Sequence, residues 1–459
     1  MSRIKTGKRI ISILMAAMLS CSMFLYGCDN GGKGTAASGV QSEGTGDKEG
    51  STEAPRGIRS DLGSDGSSSE KNDAASTENG PAESTAENSI ENDAEDVQEE
   101  AAGNDTATEV GDISSVEFVK SMGYGWNLGN ALDATNCSWV GDKMDYEGAW
   151  CGVKATPELI EAVNNAGFTT IRIPVSWHDH IDSDYTVDSR WMDRVQEVVD
   201  YAYDRDMYVI LDVHHDVTED YYYPTKDKLE QSELYMVAVW SQISKRFADY
   251  DEKLIFESIN EPRLVGRNNE WWYDKNVPEC LEAMECINEC NQIFVDSVRN
   301  SGGKNKERFL IVASYDDAYE PTVDAGFKLP SDNVNDRLLV AVHMYLPYDF
   351  AGNPNGTTVF DDNAKRANDT ALNAVYDRFV AKGVGVVIDE YGAMNKGNDD
   401  QRVLYYDYFT KAAKDLGMCT VAWDNNVFEV STDSTQGFGL IDYGTKKVVK
   451  TEIIDAIVK

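Results

Sequence analysis

The sequence has few basic residues for its length. Its 459 residues include 42 Lys and Arg against 80 Asp and Glu, which gives a formal net charge of -38 at pH 7. A chain of that charge is repelled by nucleic acid and by anionic lipid headgroups, so neither is an expected partner. A neutral polymer, such as an uncharged polysaccharide, is not repelled and is therefore compatible with this composition.

Residues 29–111 lack Phe, Trp and Tyr altogether. The segment consists mainly of Gly, Ser, Ala, Thr, Glu and Asp, with about 20 acidic residues against about 5 basic ones. Such a segment has too little apolar surface to offset the entropy of ordering, and its like charges extend it. We therefore predict a disordered acidic linker that holds a folded domain away from the cell surface. A binding tail is the alternative interpretation.

The hydrophobic run near the N-terminus is too short to be a transmembrane helix. A basic segment precedes an apolar run over residues 10–19, which is typical of an export signal. Residues 25–28, Leu-Tyr-Gly-Cys, resemble a bacterial lipobox. We therefore predict a lipoprotein signal peptide over residues 1–28, with Cys28 lipidated, and a bacterial cell-surface protein that contacts the membrane only through its lipid. Ordinary cleavage near Gly27 and free secretion is the alternative.

The cysteines and glycines form no pattern that is typical of a metal or cofactor site. The Cys residues after residue 28 include no C-x-x-C pair, and no Gly-rich phosphate loop follows the first apolar run. We predict no metal and no cofactor. Cys137 and Cys151 bracket one loop, so a disulfide between them and two free thiols are both open.

Residues 112–459 alternate short apolar runs with longer amphipathic segments. Runs that are apolar throughout suit parallel strands buried on both faces. Eight strand–helix units over this length predict an α/β fold, a (β/α)8 TIM barrel, with a doubly wound sheet as the alternative. The predicted strands are residues 124–128, 170–175, 208–213, 254–259, 309–313, 338–342, 384–388 and 420–423.

Polar residues follow the predicted strands at the barrel end where TIM-barrel catalysis occurs. Glu261 follows strand four and Glu390 follows strand seven, so the two carboxylates face each other across the barrel. This arrangement suits glycoside hydrolysis by double displacement, in which one carboxylate attacks and the other supplies and removes a proton. Arg172 is placed to stabilise the charge of the nucleophile, and Asn260 to bind the sugar 2-hydroxyl.

These motifs resemble those of glycoside hydrolase family 5, the cellulase family. The resemblance covers nearly all of residues 123–459 and implies a retaining endo-β-1,4-glucanase, with Glu261 as acid/base and Glu390 as nucleophile. It rests on seven motifs in family order: GWNLGN (125–130), IRIPVSW (171–177), HH (214–215), NEP (260–262), HMY (343–345), EYG (390–392) and WDNN (423–426). The implied substrate-binding residues are Asn127, Arg172, His214, His215, Asn260, His343, Tyr345 and, stacked beneath the sugar, Trp423.

The expected partner is a β-glucan, bound by a monomer, and the opening motif resembles the endoglucanase branches of the family. Which glucan is preferred among cellulose, mixed-linkage glucan, xyloglucan and glucomannan stays open. Asp389 departs from the family pattern, in which many relatives carry Gly before the nucleophile. Because strand side chains alternate, we expect Asp389 to point away from the site. Candidate sugar platforms are Trp139, Trp150, Trp177, Trp271 and Trp272.

Two other functions are compatible with the barrel. A metal-dependent hydrolase would use the H-x-H motif of His178 and His180, with ligands added by His214, His215 and Asp424. A non-catalytic surface protein that binds glycans is the other alternative. The presence of both carboxylates and their supporting residues favours the glycosidase over either.

Overall fold

The computed structural model describes residues 113–429 and 436–459. The predicted signal peptide, the lipidated Cys28 and the acidic linker over residues 29–111 lie outside the described residues. Within the described part, no helix combines the length and apolar character needed to cross a membrane.

Eight parallel strands close into a barrel in sequence order, which confirms the predicted (β/α)8 fold. All eight predicted strands are present, and β6 and β7 extend beyond the predicted ends. The strands are β1 Tyr124–Asn127, β2 Thr170–Ile173, β3 Tyr208–Asp212, β4 Leu254–Glu257, β5 Leu310–Val312, β6 Leu338–Met344, β7 Gly385–Tyr391 and β8 Cys419–Ala422. A short antiparallel pair, β9 Ile441–Asp442 and β10 Lys447–Val448, follows the barrel.

Helices surround the barrel and connect its strands. The helix Pro157–Asn165 has a capped start, because the Thr156 side chain accepts a hydrogen bond from the backbone of Leu159 and Pro157 occupies the first turn. The helices are α1 Ser115–Ser121, α2 Pro157–Asn165, α3 Ser189–Tyr203, α4 Leu229–Arg246, α5 Pro278–Asn300, α6 Tyr319–Val323, α7 Tyr348–Ala351, α8 Asp362–Arg378, α9 Asp399–Asp415 and α10 Thr451–Ile457.

Helix α1 closes the N-terminal end of the barrel. Phe118 and Met122 are buried in a cluster with inward-facing strand residues, and the Phe118 ring stacks on Phe309 with centroids 3.5 Å apart. Gly385 permits this approach, because a Cβ there would lie 2.5 Å from the backbone oxygen of Ser115. Burial of each large apolar side chain contributes about 1.5–3 kcal/mol. Because apolar side chains fill this end of the barrel, we expect the functional site at the opposite end.

Side-chain alternation makes the barrel interior apolar at one end and polar at the other. On β3, Ile210 lies in the apolar cluster and Asp212, two residues later, is buried further along. On β4, Ile255 and Glu257 repeat the pattern, and Asp212 is the register partner of Glu257. Because every second strand residue faces inward, the polar layer is built at the carboxyl ends of the strands.

Six cysteines in the described residues are free thiols, including Cys137 and Cys151. Each of these two donates to a nearby backbone oxygen, of Thr135 and Val153 respectively. Of the two alternatives, the disulfide is therefore wrong and the free thiols are present.

Candidate active site

Arg172 lies at the centre of the polar layer. Its side chain is fully buried, and its guanidinium pairs with Glu257 through Nε to Oε2 at 2.7 Å and Nη2 to Oε1 at 2.6 Å. Nη2 also lies 2.9 Å from Asp212 Oδ2. Burial alone would lower the pKa of Arg172, but the charges of Glu257, Asp212 and Glu390 raise that pKa well above its usual range. The site therefore contains a fixed positive charge held in one orientation.

Sequence reasoning missed Glu257 and Asp212, although the sequence carried a signal for both. Each is the one ionisable residue with an acidic side chain in its predicted strand, and each lies two residues after an inward-facing isoleucine. An ionised group at such a position is costly unless it is paired, and Arg172 is the cation on the inner face of the neighbouring β2. Because every second residue of a strand faces inward, this alternation was sufficient to predict that Arg172, Asp212 and Glu257 meet inside the barrel.

Glu390, at the end of β7, is held at both carboxylate oxygens. Arg172 Nη1 donates to Oε1 at 2.9 Å, and the Tyr345 hydroxyl donates to Oε2 at 2.8 Å. Burial raises the pKa of Glu390 above its ordinary value, while the charges of His343 and Arg172 oppose that rise. The carboxylate is thus fixed in position at the mouth of the barrel.

Two asparagines complete the surroundings of Arg172. Its Nη1 donates to Asn127 Oδ1 at 3.2 Å and its Nη2 to Asn260 Oδ1 at 2.7 Å. Asn127 in turn donates to the backbone oxygen of Asp389 at 2.8 Å. Because Oδ1 of Asn260 accepts from Arg172, the donor Nδ2 of that amide is turned away from the guanidinium.

Glu261 adopts a strained backbone conformation directly after strand four. Its φ is 44°, in the left-handed region, and its backbone N–H donates to Asp317 Oδ2 at 2.7 Å. Its carboxylate accepts from Arg263 Nη1 at 3.2 Å and lies 2.9 Å from His343 Nδ1. Such a conformation in a residue other than Gly costs about 1–3 kcal/mol and is found at functional sites. One oxygen each of Glu261 and Glu390 and a ring nitrogen of His343 lie within 4.8 Å of one another.

His343 and Glu261 shift each other's pKa in opposite directions. Burial alone would lower the pKa of His343, but the charges of Glu390, Asp389 and Glu261 and the hydrogen bond to Glu261 raise that pKa well above its usual value. Burial alone would raise the pKa of Glu261, but the hydrogen bond with His343 and the charges of Arg263 and His343 lower it. In the free site these shifts favour protonation of His343, whose Nδ1 lies one hydrogen bond away from Glu261.

His214, His215 and Trp423 form another wall of the site. His214 Nδ1 lies 2.7 Å from Asp212 Oδ2, and the His214 ring is parallel to the Trp423 ring with centroids 5.9 Å apart. Burial lowers the pKa of His214 well below its usual value, which favours the neutral imidazole. Gly129 leaves room for the Trp423 ring, because a Cβ at residue 129 would lie 2.8 Å from that ring.

All ten residues predicted for catalysis or substrate binding thus lie at the same end of the barrel.

The expectation that Asp389 points away from the site is wrong. Its carboxylate is fully buried inside the barrel, accepts from the backbone of Val342 at 3.2 Å and lies 3.6 Å from His343 Nε2. Val387 lies in the inward-facing apolar cluster, so alternation along β7 also turns Asp389 inward. The register of β7 shifts between Ile388 and Tyr391, and it is the next residue, Glu390, that departs from simple alternation. Burial, together with the charge of Glu257, raises the pKa of Asp389 well above its ordinary value.

One of the five candidate sugar platforms is part of the core. Trp177 is fully buried and donates from Nε1 to the backbone oxygen of Asp212 at 3.0 Å. The other four rings are exposed and stay candidates: Trp139, Trp150, Trp271 and Trp272.

The ligand set of the metal-dependent alternative does not come together. His178 is bound to Asp216 through Nδ1 at 2.5 Å, and the His180 ring stacks on Trp191 with centroids 3.6 Å apart. Asp424 accepts from the indole of Trp126 at 2.9 Å and from three backbone N–H groups. Each of these residues has a structural partner, so the H-x-H motif is not the start of a catalytic metal centre.

Comparison with known proteins agrees with this geometry. A model of the cellulase family, glycosyl hydrolase family 5, matches residues 131–429. This chain belongs to that family. It is 37% identical over 353 residues to endoglucanase B of Neocallimastix patriciarum, covering 76% of this chain and 72% of the relative.

Solved structures of family 5 enzymes have the same barrel. A lichenase from a Caldicellulosiruptor species, solved as a mutant with cellotetraose, is 43% identical with a TM-score of 0.73, covering 78% of this chain and 98% of the other. A broad-specificity endoglucanase from Ruminococcus champanellensis with bound cellotriose is 40% identical with a TM-score of 0.71, covering 76% and 99%. The present chain is thus a family 5 glycoside hydrolase of the endoglucanase type.

Proposed function

We propose that this family 5 enzyme is a retaining endo-β-1,4-glucanase that hydrolyses cellulose or related β-glucans by double displacement. The observation that carries the proposal is the close approach of Glu261 and Glu390, whose nearest ligand oxygens lie within 4.8 Å. Retaining enzymes hold their carboxyl groups about 5–5.5 Å apart, whereas inverting enzymes leave about 6.5–9.5 Å for a water molecule. The short separation supports direct attack by one carboxylate.

In the first step, Glu390 attacks the anomeric carbon while Glu261 gives its proton to the glycosidic oxygen. The carbon–oxygen bond breaks, the leaving sugar departs with a hydroxyl, and a glycosyl ester of Glu390 remains. Arg172 and Tyr345 bind the two oxygens of Glu390 and orient it for attack. The amide of Asn260 is placed to donate to the sugar 2-hydroxyl, an interaction that strengthens as positive charge develops on the ring.

In the second step, Glu261 takes a proton from water, and the resulting hydroxide attacks the anomeric carbon and releases Glu390. Two inversions restore the original configuration. The proton that Glu261 takes from water restores its acid form. Before the first step, Glu261 obtains its proton from His343, whose Nδ1 lies 2.9 Å from Glu261 Oε1.

The substrate side of the proposal rests on the aromatic side chains around the site. The Trp423 ring is parallel to the His214 ring at the carboxyl end of the barrel. Four exposed tryptophans lie on the loops that follow the strands. Flat apolar rings suit the faces of glucose units. The names of the relatives, a lichenase and broad-specificity endoglucanases, support mixed-linkage glucan beside cellulose as a substrate.

The test is release of reducing sugar from a panel of soluble polysaccharides in the presence of EDTA. We expect release from carboxymethylcellulose and mixed-linkage glucan, with retained β-configuration in the first product seen by NMR. Activity on mannan alone would keep the two-glutamate mechanism and overturn the glucan specificity. Loss of activity on metal removal, or a product of inverted configuration, would overturn the mechanism.

We also propose that the enzyme is exported and anchored through a lipid on Cys28. The basic and apolar N-terminal segments and the lipobox-like residues 25–28 support the proposal. In an expressing bacterium, labelled fatty acid is expected to be incorporated into the full chain and lost in Cys28→Ala. Equal labelling of both proteins, or the absence of label in both, would overturn the lipid anchor.

A further inference from the structure

The carboxylate of Asp133 is buried without the hydrogen bonds that such a group needs. Asp133 is fully buried, and neither of its oxygens has a hydrogen-bond partner among the described residues. The His215 ring nitrogen Nε2 lies 3.7 Å from Oδ2, beyond hydrogen-bonding distance. A buried carboxylate without partners is costly, and an ion is one of the few groups that would compensate for it.

Two imidazoles converge on this carboxylate. Asp133, His214 and His215 each offer one ligand atom, and the three atoms lie within 4.8 Å of one another. The Nδ1 atom of His214 is engaged by Asp212 at 2.7 Å, which leaves Nε2 with a free lone pair. A carboxylate behind the second nitrogen is the usual support of a histidine that binds a metal. His215 is one-third exposed, so an ion could enter from the mouth of the barrel.

The ligand set selects the class of ion. Two neutral imidazoles and one carboxylate suit Zn²⁺ and its first-row neighbours rather than Mg²⁺ or Ca²⁺, which prefer oxygen ligands. Zinc bonds of about 2.0–2.1 Å in a tetrahedron place neighbouring ligand atoms about 3.4 Å apart. The 3.7 Å between His215 and Asp133 is close to that separation. The fourth position would face the mouth of the barrel.

A second cluster of similar composition is a weaker candidate. Glu261, His343 and Glu390 also bring ligand atoms within 4.8 Å. Both carboxylates there already bind partners, since Arg263 donates to Glu261, and Arg172 and Tyr345 donate to Glu390. A metal ion would have to replace those partners and approach two arginines. Asp133 has no such partner to lose.

We propose that Asp133, His214 and His215 form a binding site for a divalent transition-metal ion of the Zn²⁺ class, and that an ion bound there inhibits the enzyme by competing with glucan. The competition rests on the proposed function, because His214 and His215 belong to the predicted sugar-binding wall. Binding of the ion itself does not depend on that function. Because an ion at this site would inhibit the enzyme, its removal by EDTA is compatible with full activity.

Binding is tested on the full chain without a polyhistidine tag, by calorimetric titration with Zn²⁺ and by the absorption spectrum of bound Co²⁺. We expect one tight site in the wild type, unchanged in Glu261→Gln and at least tenfold weaker in Asp133→Asn. Both variants exchange a carboxylate for an amide of the same size, and circular dichroism checks that each is folded. No tight site in the wild type, equal affinity in Asp133→Asn, or loss of binding in Glu261→Gln would overturn the assignment.

Competition is tested without altering Asp133, in case that variant fails to fold. The Glu261→Gln protein is titrated with Zn²⁺ in the presence and absence of cellotetraose, which this variant hydrolyses slowly. We expect saturating oligosaccharide to weaken zinc binding at least fivefold, and EDTA to reverse zinc inhibition of the wild type. Zinc affinity that is indifferent to a bound oligosaccharide would overturn the inhibitory role while leaving the binding site intact.

Discussion

The two ends of the barrel are built from the same strands but serve opposite purposes. At the N-terminal end, inward side chains such as Ile210 and Ile255 pack against Phe118 of α1. Two residues later on the same strands, Asp212 and Glu257 lie in a network of buried charges. The apolar end gains free energy from burial, whereas the polar end pairs its charges merely to offset the cost of desolvating them.

The apolar end of the barrel therefore contributes mainly to stability, and the polar end mainly to catalysis. The polar end contains strained backbone, since Glu261, Asp316 and Asp317 all have positive φ values between 44° and 56°. The packed end over-determines the fold and allows the other end to hold such conformations. Changes at the polar end should therefore alter rate, and changes at the apolar end should alter stability.

Glu390→Ala provides the strongest test of this separation. Without the nucleophile, we expect kcat to fall by about 10⁴-fold or more while the unfolding midpoint changes little. Added azide should restore turnover and yield the α-glycosyl azide, because the small anion fills the space of the lost carboxylate. Rates and product configuration are measured with an aryl cellobioside. Activity within tenfold of wild type, or a rescued product of β-configuration, would contradict the assignment.

Glu261→Ala should distinguish the acid role from a merely structural one. We expect a loss of about 10²–10⁴-fold on substrates with poor leaving groups, and a much smaller loss in glycosylation for those with good leaving groups. The reason is that an activated leaving group departs without protonation. Pre-steady-state bursts on a series of aryl cellobiosides measure the difference. A loss independent of leaving group would contradict the role of Glu261.

The fold was more predictable than the electrostatics of the site. Eight apolar runs and the residues that follow them gave the barrel and the position of Glu261, because strand order fixes which ends meet. The inward position of both Asp389 and its neighbour Glu390 was not predictable, because it depends on a register shift in β7 that no residue pattern announces. The raised pKa of His343 also depends on distances to three carboxylates, which only the folded chain defines.

Phe118→Ala tests the apolar end. Removal of this buried ring should cost about 3–5 kcal/mol of unfolding free energy, because it leaves a cavity beneath Phe309 and Ile255. The site lies at the opposite end, so kcat of the folded fraction should stay within about twofold of wild type. Denaturant unfolding and steady-state kinetics at low temperature measure the two quantities. A tenfold loss of kcat in folded protein would show that the two ends are not independent.

Tyr345→Phe examines the polar end in finer detail. The Tyr345 hydroxyl donates to Glu390 at 2.8 Å and lowers the pKa of that carboxyl, which burial raises. Removing the hydroxyl should raise the pKa of Glu390 further, so the acidic limb of kcat/KM should move to higher pH. The sign follows from the mechanism, since the nucleophile must be ionised and a higher pKa requires a higher pH to ionise it.

The matched control for that shift is Tyr391→Phe. Tyr391 is the next residue along β7 from Glu390, but its hydroxyl contacts Thr410 at 2.8 Å instead of the carboxylate. Both variants remove one buried hydroxyl, so a general loosening of the barrel would affect both profiles. Only Tyr345→Phe should move the acidic limb. An equal shift of the acidic limb in both variants, or a shift of Tyr345→Phe to lower pH, would contradict the prediction. It would mean that the hydrogen bond from Tyr345 does not by itself lower the pKa of Glu390.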